Sequence, residues 1–315
     1  MPTVLITTFP RAFNHKRVQA MLEGAGCQVK VIYPLQNPDE EEMIDLLQGV
    51  TGLIPANDPL TERVLKAAPS LRVIARTGVG VDNIDLKVAR SLGIRVTITP
   101  GATSAAVADL TIGLILAVAR RICWNDQQVR QGRWERTIGL DMTDKMLGLI
   151  GLGAIGKLVA RRAQGFDMQL QACDQVQDLA FAAGHGIRYV DKDELLASSD
   201  YVSLHVPLTA ETRGSIGERE LRLMKSTACL INTARGPIVD EDALYRALHE
   251  GWIAGAGLDV FQREPPAGSP LLELDSVVMT PHVGAWTEGT WQIMAEQAAT
   301  EVIRLLQGQP PMHAV

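Results

Sequence analysis

Met146-Leu147-Gly148-Leu149-Ile150-Gly151-Leu152-Gly153-Ala154-Ile155-Gly156-Lys157-Leu158-Val159-Ala160-Arg161-Arg162 is the stretch whose reading decides the fold. An apolar run leads into glycines spaced GxGxxG, and good helix formers follow. The pattern predicts a buried strand, a tight turn and a helix. In such a turn the first glycine permits the bend. The second lets a pyrophosphate approach the backbone, and the third lets helix and strand pack closely. The N–H groups at the helix start then face the anion. Gly151, Gly153, Ala154, Ile155 and Gly156 are therefore expected to hold a dinucleotide. GxGxxG alone is weak, because glycines also mark ordinary turns. Here a second strand, Met168 to Cys173, ends in Asp174, about 20 residues past the loop. A carboxylate there accepts from both ribose hydroxyls and repels a 2′-phosphate. Gln175 follows, with no Arg or Lys directly after the strand, so NAD rather than NADP is expected.

The chain has 315 residues, 46% hydrophobic and 21% charged, with a net charge of -6. That is an ordinary composition with apolar material for about two domains. The negative balance argues against a nucleic-acid partner and against an anionic membrane surface. Leu110 to Val118, the longest apolar helix candidate, is too short to span a bilayer. Cys27, Cys123, Cys173 and Cys229 lack metal-ligand spacing, so no metal is expected; three sit in or beside apolar runs, so buried reduced thiols are the plain reading. The first residues run directly into strand-like Val4-Leu5-Ile6 rather than a leader peptide. A cytoplasmic location is expected.

Outward from the loop, short apolar runs alternate with helical patterns. Before it come strand candidates at Val4 to Thr7, Val29 to Tyr33, Gly52 to Ile54, Leu71 to Arg76 and Ile94 to Ile98, with helices between. Pro100-Gly101 breaks the series. A long helix, roughly Ser104 to Ile122, and a short one lead into the loop. After Asp174 strands are expected at Tyr201 to Val206, Ala228 to Thr233, Ala256 to Val260 and Val277 to Thr280, and a last helix from about Glu288 to Leu306. Strands alternating with helices imply parallel sheets covered on both faces. The expected architecture is two doubly wound α/β domains. Residues 1–100 with 287–315 form a flavodoxin-like substrate domain, and 101–286 a Rossmann NAD domain. Gln131-Gly132-Arg133-Trp134 places an aromatic in a polar context, as local packing or as a subunit contact.

Ligands of such sheets lie at the carboxyl ends of strands, so residues that end strands are the chemical candidates. Reduction of a ketone beside a nicotinamide needs a proton donor near operating pH, for which histidine is suited. It needs a carboxylate to favour the imidazolium and a cation to hold and polarise the substrate. His282, Glu264 and Arg235 can fill these roles, and arginine suits a planar carboxylate. Spacing alone does not choose between His282 and His205, which also ends a strand before a proline.

A resemblance makes the choice. Gly151 to Gly156, Leu204-His-Val-Pro-Leu-Thr209 with Thr212, Ile231-Asn-Thr-Ala-Arg-Gly236 with Val239-Asp240, Gly257-Leu-Asp-Val-Phe261 with Glu264-Pro265, and Thr280-Pro-His-Val-Gly284 resemble the D-isomer-specific 2-hydroxyacid dehydrogenases. So do Arg76 to Asp85 and Thr99-Pro-Gly101 with Val107-Ala108-Asp109. The family includes D-3-phosphoglycerate dehydrogenase, glyoxylate and hydroxypyruvate reductases and D-lactate dehydrogenase. The resemblance implies hydride transfer between NAD and C2 of a small 2-oxo or 2-hydroxy acid, in a homodimer. It implies that Arg235, Glu264 and His282 are the substrate arginine and the Glu/His pair. His205, Val206, Pro207, Thr212, Thr233, Ala234, Arg235, Asp259, His282 and Gly284 join the glycine loop in cofactor binding, Asp259 at the nicotinamide amide. Asn57, Arg76, Val79 and Gly80 join Arg235 and His282 around the substrate, with the Val79 and Gly80 amides cradling its carboxylate.

Departures from the family pattern shape the expectation. Ala154 stands where many members carry Arg, which leaves pyrophosphate binding to backbone amides. Thr103, Ala106 and Asp109 replace the Asn, Ser and Glu of an Asn-x-x-Ser-Val-Ala-Glu pattern. The loop Pro55-Ala56-Asn57-Asp58-Pro59 lacks the basic residue common in phosphoglycerate dehydrogenases. Arg11 is a distal anion ligand or a surface charge. No regulatory serine-binding domain is expected after Val315. Two rival readings are an NAD-sensing co-repressor and a formate- or phosphonate-type dehydrogenase. Formate enzymes pair the histidine with Gln, and Glu264 argues against them. Phosphoglycerate, hydroxypyruvate and glyoxylate all stay open, the first lowered by the basic-poor loop.

Overall fold

The computed structural model describes residues 1–7, 16–32 and 38–315. It separates into two compact units, residues 1–103 with 286–315, and residues 104–285. Tyr33 and Arg11 lie outside the described residues.

The first unit alternates β1 (Thr3–Ile6), α1 (Lys16–Gly24), β2 (Gln28–Val31), α2 (Glu40–Leu46), β3 (Gly52–Ile54), α3 (Glu62–Lys66), β4 (Val73–Ala75), α4 (Leu86–Ser91) and β5 (Arg95–Thr97). The five strands are parallel in the order β2-β1-β3-β4-β5, the flavodoxin-like order. β3 and β4 are buried along their whole length, and β1 from Val4 on, whereas β2 alternates exposed and partly buried residues. Apolar runs thus take the middle of the sheet and the alternating one takes its edge. Asp39 opens α2 through a capping box with Glu42, and Asp85 caps α4 through the Val88 N–H.

The second unit contains α5 (Ser104–Ala119), α6 (Ile122–Arg130), β6 (Met146–Ile150), α7 (Ala154–Gln164), β7 (Gln169–Cys173), α8 (Leu179–Gly184), β8 (Ile187–Tyr189), α9 (Lys192–Ser198), β9 (Tyr201–Leu204), α10 (Glu218–Leu223), β10 (Cys229–Asn232), α11 (Glu241–His249), β11 (Gly255–Leu258) and β12 (Val277–Met279). Its seven strands are parallel in the order β12-β11-β10-β9-β6-β7-β8. Counted from β6, this is the dinucleotide-binding order with one added edge strand, and the order reverses between β6 and β9. The long helix stops short of the expected end near Ile122. It ends at Ala119, and Arg121, at φ 50°, turns the chain before α6 starts at Ile122.

The chain closes with α12 (Glu288–Leu306), which packs on β3, β4 and α1 of the first unit. Its buried Glu301 accepts hydrogen bonds from the Met312 and His313 amides. The tail then pairs with β5 through Val315 N–H to Val96 O, 3.1 Å. All four cysteines are free: Cys27 and Cys229 are buried, Cys173 is partly buried and Cys123 is exposed. Among the described residues no helix is long and apolar enough to cross a membrane.

Candidate active site

The glycine loop is three residues long, between the end of β6 at Ile150 and the start of α7 at Ala154. Gly151 has φ +97°, and a Cβ there would lie 2.7 Å from the His205 carbonyl. A Cβ on Gly156 would come 2.3 Å from the Gly151 carbonyl oxygen. The protein's own packing thus demands these two glycines. Gly153 differs: a Cβ there meets nothing within 4 Å, and it opens α7 with no side-chain cap. Gly153 and Ala154 are exposed and Ile155 partly so. An uncapped, exposed helix start fits a pyrophosphate.

At the tip of β7, Asp174 is fixed against this loop. Its Oδ2 accepts from the Leu152 N–H at 2.6 Å and its Oδ1 from the Val176 N–H at 3.0 Å. The loop after β9 lies on the other side of β6. There the Val206 side chain reaches toward Gly151. Thr212 donates to the Pro207 carbonyl at 2.7 Å and accepts from the Thr209 N–H. The His205 ring meets the Ser203 hydroxyl at 2.9 Å, and burial pulls its pKa down to about 3. It is neutral at physiological pH and, among the described residues, has no carboxylate partner, which separates it from His282.

The polar groups of interest follow the carboxyl ends of β10, β11 and β12, three neighbouring strands. After β12, His282 takes φ 53°, left-handed for a residue with a Cβ. Asp259, which follows β11 and is 1% exposed, holds that conformation. Its carboxylate accepts from the Thr280 hydroxyl at 2.6 Å and from the Val283 and Gly284 amides at 2.8 and 2.9 Å. Its carbonyl accepts from the His282 N–H at 2.9 Å. Burial raises the Asp259 pKa, against the pull of these donors and of His282.

His282 Nδ1 lies 2.7 Å from Glu264 Oε2. The other carboxylate oxygen accepts from the Phe261 N–H at 3.1 Å. Burial alone pushes the Glu264 carboxyl up, but His282, the Phe261 amide and the Arg235 charge outweigh it and hold it below its usual range. Glu264 is therefore ionised at neutral pH, and with Nδ1 on the carboxylate, Nε2 is the ring's free position for proton transfer.

Arg235 follows β10. Its Nη1 donates to the Ala234 carbonyl at 2.8 Å, and the Thr233 hydroxyl meets that of Thr111 in α5 at 3.0 Å. Two supports of this region escaped sequence reasoning. Asn232 bonds the backbone of both Ala234 and Arg235. Gln262 is braced by Glu241, which accepts its N–H, and by its own side chain on the Val239 carbonyl. An Asn two residues before the Ala234 amide is an Asx-turn signal and was legible; the Gln262 brace carries no local signal.

In the first unit Arg76 is buried. It donates to Asn57 Oδ1 at 2.9 Å and to the Thr77 carbonyl at 2.6 Å. It therefore braces the loops after β3 and β4. Asn57 and Val79 are exposed and Gly80 partly so. Buried Asp58 accepts from the Thr7 hydroxyl at 2.6 Å and the Ala56 N–H, and burial raises its pKa. Among the described residues no group of three or more His, Cys, Asp or Glu is placed to hold a metal ion.

The family model described as D-isomer specific 2-hydroxyacid dehydrogenase, NAD binding domain, matches residues 112–284. A glyoxylate reductase of Korarchaeum cryptofilum is 44% identical over 286 residues, 88% of this chain and 86% of that one. A D-3-phosphoglycerate dehydrogenase of Methanocaldococcus jannaschii is 42% identical over 94% of this chain and 56% of its own length. Among solved structures, D-lactate dehydrogenase from Aquifex aeolicus, complexed with NAD and lactic acid, is 32% identical and superposes with a TM-score of 0.85 over 97% of this chain and 96% of that one. The chain belongs to the D-isomer specific 2-hydroxyacid dehydrogenases, NAD-dependent enzymes that move hydride between the cofactor and small 2-hydroxy or 2-oxo acids.

Proposed function

We propose that the enzyme reduces glyoxylate or hydroxypyruvate rather than a phosphorylated 2-oxo acid, with His282 as the proton donor. The observation that carries the chemistry is the 2.7 Å pair of His282 and ionised Glu264. The substrate choice rests on Asn57. Where a phosphate would call for a cation, the loop from 55 to 59 offers a carboxamide, and Arg76 is spent on bracing it. Relatives named glyoxylate reductase favour the same choice.

Bound NADH supplies the hydride that reaches substrate C2. Gly151, Gly153, Ala154, Ile155 and Gly156 hold its pyrophosphate through backbone amides, and Asp174 takes the ribose hydroxyls. His205, Val206, Pro207, Thr212, Thr233, Ala234, Asp259 and Gly284 line the rest of its site. Arg235 holds and polarises the 2-oxo acid. The Val79 and Gly80 amides, which make no hydrogen bond within the described residues, take the carboxylate. His282 Nε2 gives its proton to the carbonyl oxygen as the alcohol forms, while Glu264 keeps the imidazolium oriented. The reverse oxidation uses the same groups with the proton returned to His282.

A panel of 2-oxo acids assayed with NADH and NADPH tests this reading. Glyoxylate and hydroxypyruvate with NADH should lead. Preference for 3-phosphohydroxypyruvate would overturn the substrate choice, and preference for NADPH would overturn the reading of Asp174. Turnover of any 2-oxo acid counts against a purely NAD-sensing co-repressor. We further read the enzyme as a cytoplasmic homodimer. Trp134 and Ile138, 80% and 99% exposed in one chain, favour a subunit contact. Analytical ultracentrifugation showing a monomer at assay concentration would refute it.

A further inference from the structure

We propose that Asn232 is a positioning residue for Arg235, fixing the turn that aims the guanidinium. The proposal rests on the reading of Arg235 as the substrate cation. Asn232 is the last residue of β10 and is 1% exposed. Its Oδ1 accepts from the Ala234 N–H at 3.0 Å, and its Nδ2 donates to the Arg235 carbonyl at 2.9 Å. The two bonds span the turn that leaves the strand. Both peptides flanking Ala234 are held: its N–H donates to Asn232 Oδ1, and its carbonyl accepts from Arg235 Nη1 at 2.8 Å. Backbone and side chain of Arg235 are thus both referred to one carboxamide.

That carboxamide is itself anchored. The Asn232 backbone pairs with Leu204 of β9 and Leu258 of β11 in the middle of the sheet. Its carbonyl also accepts from the Asp259 N–H at 2.9 Å, and Asp259 holds the His282 turn. The position needs an acceptor and a donor on the same short side chain. Asp keeps the acceptor and sets a second oxygen against the Arg235 carbonyl. Leu keeps the shape and offers neither group.

The test is a double-mutant cycle in the intact enzyme, with glyoxylate and NADH. Asn232→Leu, Asn232→Asp, Arg235→Ala and the two double variants are compared by kcat/KM and by KM and kcat separately. Each single Asn232 variant should lose about tenfold or more in kcat/KM, mostly in KM, as expected for losing one positioning hydrogen bond in the Asp variant and both in the Leu variant. On the Arg235→Ala background the same substitutions should cost almost nothing, because their route of action is gone. A full-sized loss on that background overturns the proposal, as do single variants with wild-type kinetics. The near-isosteric Asp variant decides the cycle if the Leu variant does not fold. Failure of both to fold makes Asn232 a folding residue and also overturns the proposal. Wild-type activity in Arg235→Ala alone would instead refute Arg235 as the substrate cation, a separate and recognisable result.

Discussion

Adding one methyl group at Gly236 should disable the enzyme without touching any side chain of the site. A Cβ there would lie 1.9 Å from the Phe261 carbonyl carbon, 2.0 Å from its oxygen and 2.5 Å from the Gln262 nitrogen. All three are backbone atoms, so no rotamer change relieves the clash. Reaching an ordinary contact of 3.4 Å requires about 1.5 Å of movement in one of the two segments. One segment carries Arg235. The other carries Phe261, whose N–H holds Glu264. Either movement displaces a member of the pair or its cation, and a misplacement of about 1 Å costs on the order of 10²-fold in rate. Gly236→Ala should therefore lower kcat/KM for glyoxylate about 100-fold and destabilise the fold by roughly 1–3 kcal/mol through overpacking. Steady-state NADH oxidation reads the first and thermal denaturation the second. Gly113→Ala is the control: it lies in α5 with nothing within 4 Å of its Cβ, and should hold or raise stability. A folded Gly236→Ala enzyme with wild-type kcat/KM would refute the reasoning.

Other outcomes follow from the same geometry. Glu264→Gln replaces the carboxylate that orients the His282 ring at 2.7 Å, so reductive kcat/KM should fall about 10-fold or more; wild-type kcat/KM in that variant would refute the pairing. His205 is held neutral, with its pKa lowered from 6.5 to about 3. Between those values the unfolded chain takes up a proton that the folded chain refuses, so stability falls as pH drops through that window. His205→Asn should remove that part of the acid sensitivity, at most ~5 kcal/mol, and urea denaturation from pH 7 to pH 4 measures it. Asp174→Ser withdraws a carboxylate held by two amides. NADH affinity should fall about 10-fold or more and the NADPH/NADH ratio of kcat/KM should rise; an unchanged ratio in the assay pair would contradict the ribose assignment.

Most of both sheets was legible because central parallel strands are apolar on both faces: Met146 to Ile150, Tyr201 to Leu204 and Cys229 to Asn232 read directly. The weak signals were at the sheet margin. β8 has three residues, of which only Ile187 is buried, and the charged helix α9 has seven. Neither carries enough periodicity to be seen. The break at Arg121 was illegible for another reason: arginine favours helix, and no Gly or Pro announces its left-handed φ.

The site divides in the same way. Strand-end positions named Arg235, Glu264 and His282 as candidates, since parallel sheets place chemistry at those ends. Spacing could not separate His282 from His205, because the difference is a partner 18 residues away in sequence. Asp259 was expected to face the cofactor; its three hydrogen bonds to the His282 turn are tertiary and carry no local pattern.

The central claim is that His282, paired with Glu264, delivers the proton when a 2-oxo acid is reduced. Comparing steady-state reduction of glyoxylate by the wild-type enzyme and His282→Ala, with NADH binding followed by fluorescence, tests it most directly. His282→Ala should lose about 10²–10⁴ in kcat with NADH still bound. Wild-type turnover in the His282→Ala enzyme would contradict it.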